Sequence, residues 1–210
     1  MSNREDNRME NNTVVLAGEV AGTPTYSHEV FGESFYLFNI NVPRTSGTTD
    51  TVLVMVSDRM CNIENIQVGK LFEIEGQFRS YNKHEEHKNR LVLSVFTTGM
   101  RELGDSEYVG ENSVTIEGYV CKETVYRQAP LGREIADLLI AVNRAYGKSD
   151  YIPCIAWGRN AKYASTLEVG QKVRLKGRIQ SREYVKKTDE DNTETRVAFE
   201  LSASQIVLCE

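Results

Sequence analysis

Gly132–Val185 reads GREIADLLIAVNRAYGKSDYIPCIAWGRNAKYASTLEVGQKVRLKGRIQSREYV, and three alternating runs inside it decide the fold. In the first run Leu138, Ile140 and Val142 share one parity, while Asp137, Leu139, Ala141 and Asn143 take the other. Period-two alternation of this kind marks a half-buried strand. YIPCIAW repeats it, with Ile152, Cys154 and Ala156 on one face and Tyr151, Pro153, Ile155 and Trp157 on the other. NAKYASTL then predicts a short helix, with Asn160 available as its N-cap. KVRLKGRIQSREY alternates strictly. Val173, Leu175, Gly177 and Ile179 point inward, and Lys172, Arg174, Lys176, Arg178, Arg182 and Tyr184 point outward. Most charge runs are solvated faces. This one carries no interleaved acid and includes an aromatic, which suits an anionic polymer that bears bases.

The same pattern occurs about one hundred residues earlier. LAGEV at 16–20 matches IEGYV at 116–120, and FYLFNINVPRTSGTTDTVLVMV at 35–56 matches IADLLIAVNRAYGKSDYIPCIA at 135–156 without a gap. Arg44 falls on Arg144, Gly47 on Gly147 and Asp50 on Asp150. VGKLFEIEGQF at 68–78 then matches VGQKVRLKGRI at 169–179, and RLVLSV at 90–95 matches RVAFEL at 196–201. Order, spacing and parity all repeat, so the chain reads as two copies of one domain. The expected organisation is a disordered tail over 1–12, a first domain over 13–103, a linker over 104–112 and a second domain over 113–210. Each copy reads strand, strand, strand, short helix, strand, strand. That is the plan of an OB-fold, a five-stranded Greek-key barrel, and the class is all-β with two tandem barrels. Gly76 and Gly177 fall mid-strand, where a small barrel needs a bend or bulge.

Composition narrows the function. Of 210 residues 40% are hydrophobic and 26% charged, the balance of a globular protein. No apolar run approaches the ~18 residues of a membrane helix, and MSNREDNRMENN lacks the apolar core of a signal peptide. Cys61, Cys121, Cys154 and Cys209 stand apart with no CxxC pair, so the expectation is a cytoplasmic protein without a structural zinc. His84 and His87 in KHEEHKNR have the spacing of a solvated hairpin and not of a helical metal motif, and His28 has no companion. No Ser/His/Asp set and no phosphate-cradling glycine loop is present, so neither an enzyme nor a cofactor is expected. Net charge is −5, but residues 1–105 hold 10 Lys+Arg against 15 Asp+Glu, and residues 106–210 hold 15 against 15. The first half carries the whole excess.

NSVTIEGYV, IADLLIAVNR, YIPCIAWGRNA, VGQKVRLKGRIQSREY and RVAFELSASQIVL together resemble the bacterial single-stranded DNA-binding protein family and its relative, primosomal replication protein N. The resemblance covers nearly all of 112–210; the first copy shares only the hydrophobic skeleton. It implies sequence-tolerant binding of single-stranded DNA in replication, recombination or repair. By position, it implies that Tyr151, Trp157, Tyr184 and, more loosely, Tyr146 stack on bases. Arg144 and Lys148 flank Tyr146 and, with Lys172, Arg174, Lys176, Arg178 and Arg182, complete the candidate DNA-binding set. The resemblance further implies assemblies of four barrels, hence a homodimer here. Such proteins usually end in an acidic, partner-recruiting tail, whereas here the last strand pattern runs to the end of the sequence.

The copies are chemically unequal. Lys172, Arg174, Lys176 and Arg178 correspond to Leu71, Glu73, Glu75 and Gln77, Tyr151 to Thr51, and Trp157 to Ser57. The second copy is therefore expected to carry the principal site, and the first to be mainly structural or an auxiliary wall. The rival reading is a protein-interaction module of a primosome or recombination complex, with DNA contact secondary.

Overall fold

The computed structural model describes residues 11–85, 88–129, 132–187 and 193–209; the side chains of strand residues 83–85, 88–90, 184–187 and 193–196 lie outside that description. Nearly all of the described chain is β-strand: β1 (Asn12–Val20), β2 (Thr25–Val30), β3 (Glu33–Pro43), β4 (Thr49–Ser57), β5 (Leu71–Glu85) and β6 (Lys88–Leu103) in the first half, and β7 (Glu111–Val120), β8 (Val125–Gln128), β9 (Glu134–Asn143), β10 (Ser149–Trp157), β11 (Lys172–Lys187) and β12 (Thr193–Leu208) in the second. Each half closes on itself. β1 pairs with both β5 and β3, and β4 lies parallel to β6. β7, β11, β9, β10 and β12 repeat these pairings. These are two OB-fold barrels. Each has six strands instead of the five expected, because the segment after the first strand forms its own hairpin with the next.

The alternation read from the sequence becomes burial. Leu138, Ile140 and Val142 are buried, as are Ile152, Cys154 and Ala156, and Val173, Leu175 and Ile179. Register shifts fall between Glu75 and Gly76 and between Lys176 and Gly177, at the glycines expected to bend their strands. A Cβ on Gly177 would lie 2.0 Å from the Ser202 carbonyl oxygen, so glycine is what lets the bulged strand approach β12.

Between β10 and β11 stands α1 (Arg159–Ala164), as expected, but its N-cap is Gly158. The Asn160 amide instead donates to the Ser204 carbonyl at 2.8 Å. Between β4 and β5 the first barrel has only a single 3-10 turn, Ile63–Asn65, capped by Asn62, whose Oδ1 accepts the Glu64 N–H at 3.0 Å. Asn12 is already buried in β1, so the segment read as a tail contributes to the first barrel at its end; residues 1–10 lie outside the described residues, as do His87 and the His84 side chain.

The barrels join through an antiparallel β1–β7 pairing from Asn12 opposite Ile116 to Ala17 opposite Glu111. A pseudo-twofold relates them, with each residue in one facing its counterpart one hundred positions on, so that Val14 meets Val114. Asn12 donates to the Phe78 carbonyl and accepts the Phe78 N–H, both at 2.8 Å; Asn112 does the same to Ile179, at 2.7 and 2.8 Å. Two-sided use of an asparagine amide satisfies backbone groups that the bulge beside each glycine leaves out of the ladder.

Candidate nucleic-acid interface

β10 ends with Trp157 on the face opposite Ile152 and Cys154. Parity alone leaves it outside the core, and it is 40% exposed. Beside it a groove of about 400 Å³ is lined by Trp157, Arg178, Arg133 and Arg44. Of these, Arg133 and Arg44 were not in the sequence-derived set. Arg44 comes from the other barrel, and its match with Arg144 in the repeat was the available signal. Tyr151 lies further along the same face of β10, about half exposed, and its backbone N–H donates to Ser80 Oγ of the first barrel at 2.8 Å.

Tyr146 occupies the β9–β10 loop, fully exposed and in the left-handed region at φ +61°. An aromatic side chain in that region is uncommon. Arg144 and Lys148, on either side, do not line the second barrel's groove; they reach into a larger one on the first barrel. Arg182 is exposed on β11 opposite Ala198. Tyr184 pairs in β11 with Arg196, and its side chain lies outside the described residues.

The cationic stripe of β11 is divided by its neighbours. Glu117 on β7 stands opposite Arg174 and takes Lys172 at 2.5 Å and Arg174 at 2.6 Å. Hydrogen bonds from Lys172, then Arg174, hold the Glu117 carboxyl below the usual carboxylate range. The expectation of a face without acidic partners is therefore corrected. The acid comes from the adjacent strand, not from β11 itself, and alternation within one strand cannot reveal it. Lys176 is exposed and lines a shallow depression with Arg174 and Gln205. Arg178 points the other way, toward Asp50 of the first barrel at 3.8 Å.

Across the junction the barrels exchange charge symmetrically. Asp50 is buried and receives a bidentate pairing from Arg44, with Nε at 2.6 Å. Asp150, also buried, accepts the Ser80 N–H at 2.7 Å and faces Arg144 at 3.1 Å. Burial pushes the Asp150 carboxyl up; the Ser80 N–H and then the Arg144 and Arg79 charges oppose that rise. Arg79 stacks over Phe96 at 3.8 Å and donates to Gln77 Oε1 at 2.7 Å. Burial, reinforced by the charge of Arg144, lowers its pKa to about 10, which leaves it cationic at neutral pH.

A model of the single-strand binding protein family matches residues 111–206. The single-stranded DNA-binding protein of Halalkalibacterium halodurans is 32% identical over 95 residues, 42% of this chain and 53% of that one. Single-stranded DNA-binding protein A of Bacillus subtilis is 32% identical over 80 residues, 35% of this chain and 46% of that one. The chain thus spans about half the length of the curated relatives it matches. The solved wild-type single-stranded DNA binding protein from Thermus aquaticus matches both halves at once, with a TM-score of 0.74 over 95% of this chain and 93% of that chain at 20% identity, a likeness of fold. Residues 111–206 are a domain of the single-strand binding protein family, and it is through that second barrel that the chain belongs to the family.

Proposed function

We propose that this chain binds single-stranded DNA with little sequence preference, chiefly on its second barrel, and acts as a binding protein and not an enzyme. The observation that carries the reading is Trp157, half-exposed in a groove with Arg178, Arg133 and Arg44. An aromatic face stacks on any base, and three guanidiniums supply phosphate contacts on either side of it. Tyr151 and Tyr146 extend the aromatic surface along the same barrel, and Lys176, Lys148 and Arg182 extend the basic one. Curated relatives matched over this barrel are named single-stranded DNA-binding proteins, which supports the same reading. Among the described residues no helix is long and apolar enough to cross a membrane, in keeping with a role on cytoplasmic DNA.

The outer face of the second barrel exposes Tyr119, Val207 and Leu208. We take this apolar strip as the surface on which a second chain docks, giving four barrels in a homodimer. The test of function is competition: a labelled oligo(dT) bound to the chain should be displaced by unlabelled single strand and not by duplex of equal length. Displacement by both alike would contradict it.

A further inference from the structure

The first barrel lacks the aromatic positions of the second, since Thr51 and Ser57 replace Tyr151 and Trp157. It has others in their place. A groove of about 990 Å³ runs between the β2–β3 hairpin and β5–β6. Along its floor the rings form a ladder: His28 stacks on Phe35 at 5.0 Å and 13°, Phe35 meets Phe96 at 5.9 Å, and Arg79 covers Phe96. At its rim Tyr26 is 60% exposed and Phe31 99% exposed. Phe31 sits at the tip of the hairpin with φ +50°, followed by Gly32 at +71°. A bulky aromatic held in the left-handed region and in full contact with water is unfavourable on both counts. Among the described residues only Phe31 and Tyr146 are non-glycines with positive φ, and both are fully exposed aromatics.

The charge lining this groove is cationic and comes from both barrels. Arg59 and Arg79 belong to the first, and Arg144 and Lys148 reach in from the β9–β10 loop of the second. Glu33 is the one carboxylate in the lining, and it is engaged by Ser57 Oγ and by Arg59 at 3.6 Å. Asp150 behind it offsets Arg144. The groove remains net positive, on the half of the chain whose total charge is negative. We propose that this composite groove is a second single-strand site, in which bases stack on Tyr26, Phe31 and the end of the ring ladder while Arg59, Arg144 and Lys148 hold phosphates. The inference rests on the reading of the chain as a single-stranded DNA binder. It revises the expectation that the first barrel is mainly structural. Because Arg144 and Lys148 come from the same loop as Tyr146, one strand passes from one barrel to the other without leaving a basic surface.

The test uses the full chain and oligo(dT) carrying iododeoxyuridine, of about 10 and about 30 nucleotides, one and two or more barrel sites in length. Photocrosslinks are expected on peptides containing Tyr26 or Phe31 with the longer strand. A Tyr26→Ala, Phe31→Ala, Arg59→Ala variant, all at exposed positions, is expected to melt with the parent. It should lose about ten-fold or more in affinity for the longer strand while the short strand still quenches Trp157. Crosslinks confined to the second barrel, or an unchanged affinity for the longer strand, overturn the proposal whatever else the groove is found to bind. Groove crosslinks with Trp157 left unquenched would instead keep this site and remove the one assigned to the second barrel.

Discussion

Asp150 of the second barrel accepts the backbone N–H of Ser80 in the first at 2.7 Å, so a buried carboxylate of one domain holds a strand of the other. Ser80 Oγ returns the bond to the Tyr151 N–H. Together they tie the strand bearing the candidate stacking residues to the neighbouring barrel. Replacing Asp150 by alanine strands that N–H and the Arg144 charge. We expect a loss of roughly 3 kcal/mol in urea unfolding followed by Trp157 emission. A change within a few tenths would remove the junction from the stability of the fold.

The bulge glycine gives a second stability test. A Cβ at position 177 meets backbone atoms of Ser202 and Ala203, which cannot move without shifting β12. Gly177→Ala is expected to cost about 1–3 kcal/mol, and Gly76→Ala a similar amount from its approach to the Phe96 carbonyl at 2.4 Å. Parental melting temperatures for both would contradict the tight approach.

Glu117 sets how much of the β11 stripe is free for DNA. Glu117→Gln releases Lys172 and Arg174, and each new phosphate contact should steepen the slope of log K against log salt by about 0.7. Lowering the pH acts in the same direction. Glu117 is held below its unfolded value, so its ion pairs contribute stability above that value and lose it as pH falls through the lowered folded one. Acid should therefore tighten DNA binding while weakening the β7–β11 contact, and the Gln variant should lose the Glu117 part of that dependence. An unaltered salt slope in Glu117→Gln would leave Lys172 and Arg174 outside the DNA path.

Assembly is measured directly. At micromolar concentration, light scattering is expected to give the mass of two chains, and Val207→Asp with Leu208→Asp the mass of one. A monomer in the parent protein would mean that a single chain works as a self-contained pair of barrels.

How far the sequence carried these conclusions follows from what each pattern encodes. Alternation fixes which face of a strand is buried, so Ile140, Ile152 and Leu175 were legible as core. The hundred-residue repeat made the second barrel and the Arg44/Arg144 equivalence legible too. What one strand cannot show is its neighbour across the ladder. Glu117 neutralising Arg174, Arg178 turning to Asp50 and Arg144 entering the first barrel's groove all depend on pairing and on the β1–β7 junction. The ladder of His28, Phe35 and Phe96 was hidden for the same reason, since its members come from three strands. His28, without a companion in the sequence, has one in space.

The stacking contribution separates into its parts by substitution. Trp157→Ala and Tyr151→Ala are each expected to weaken binding of a short oligo(dT) by about 1–3 kcal/mol, with the circular dichroism spectrum unchanged because both side chains lie outside the core. Binding equal to the parent in both variants would leave the phosphate contacts to account for all of the affinity.

The central claim is that single strands stack on the second barrel at Trp157, and the most direct measurement of it is the emission of that residue during titration with oligo(dT). It is the sole tryptophan of the chain, so its signal reports this groove and no other. The account predicts saturable quenching that weakens steeply as salt is raised. An emission spectrum unchanged at a DNA concentration where anisotropy shows the strand fully bound would contradict it.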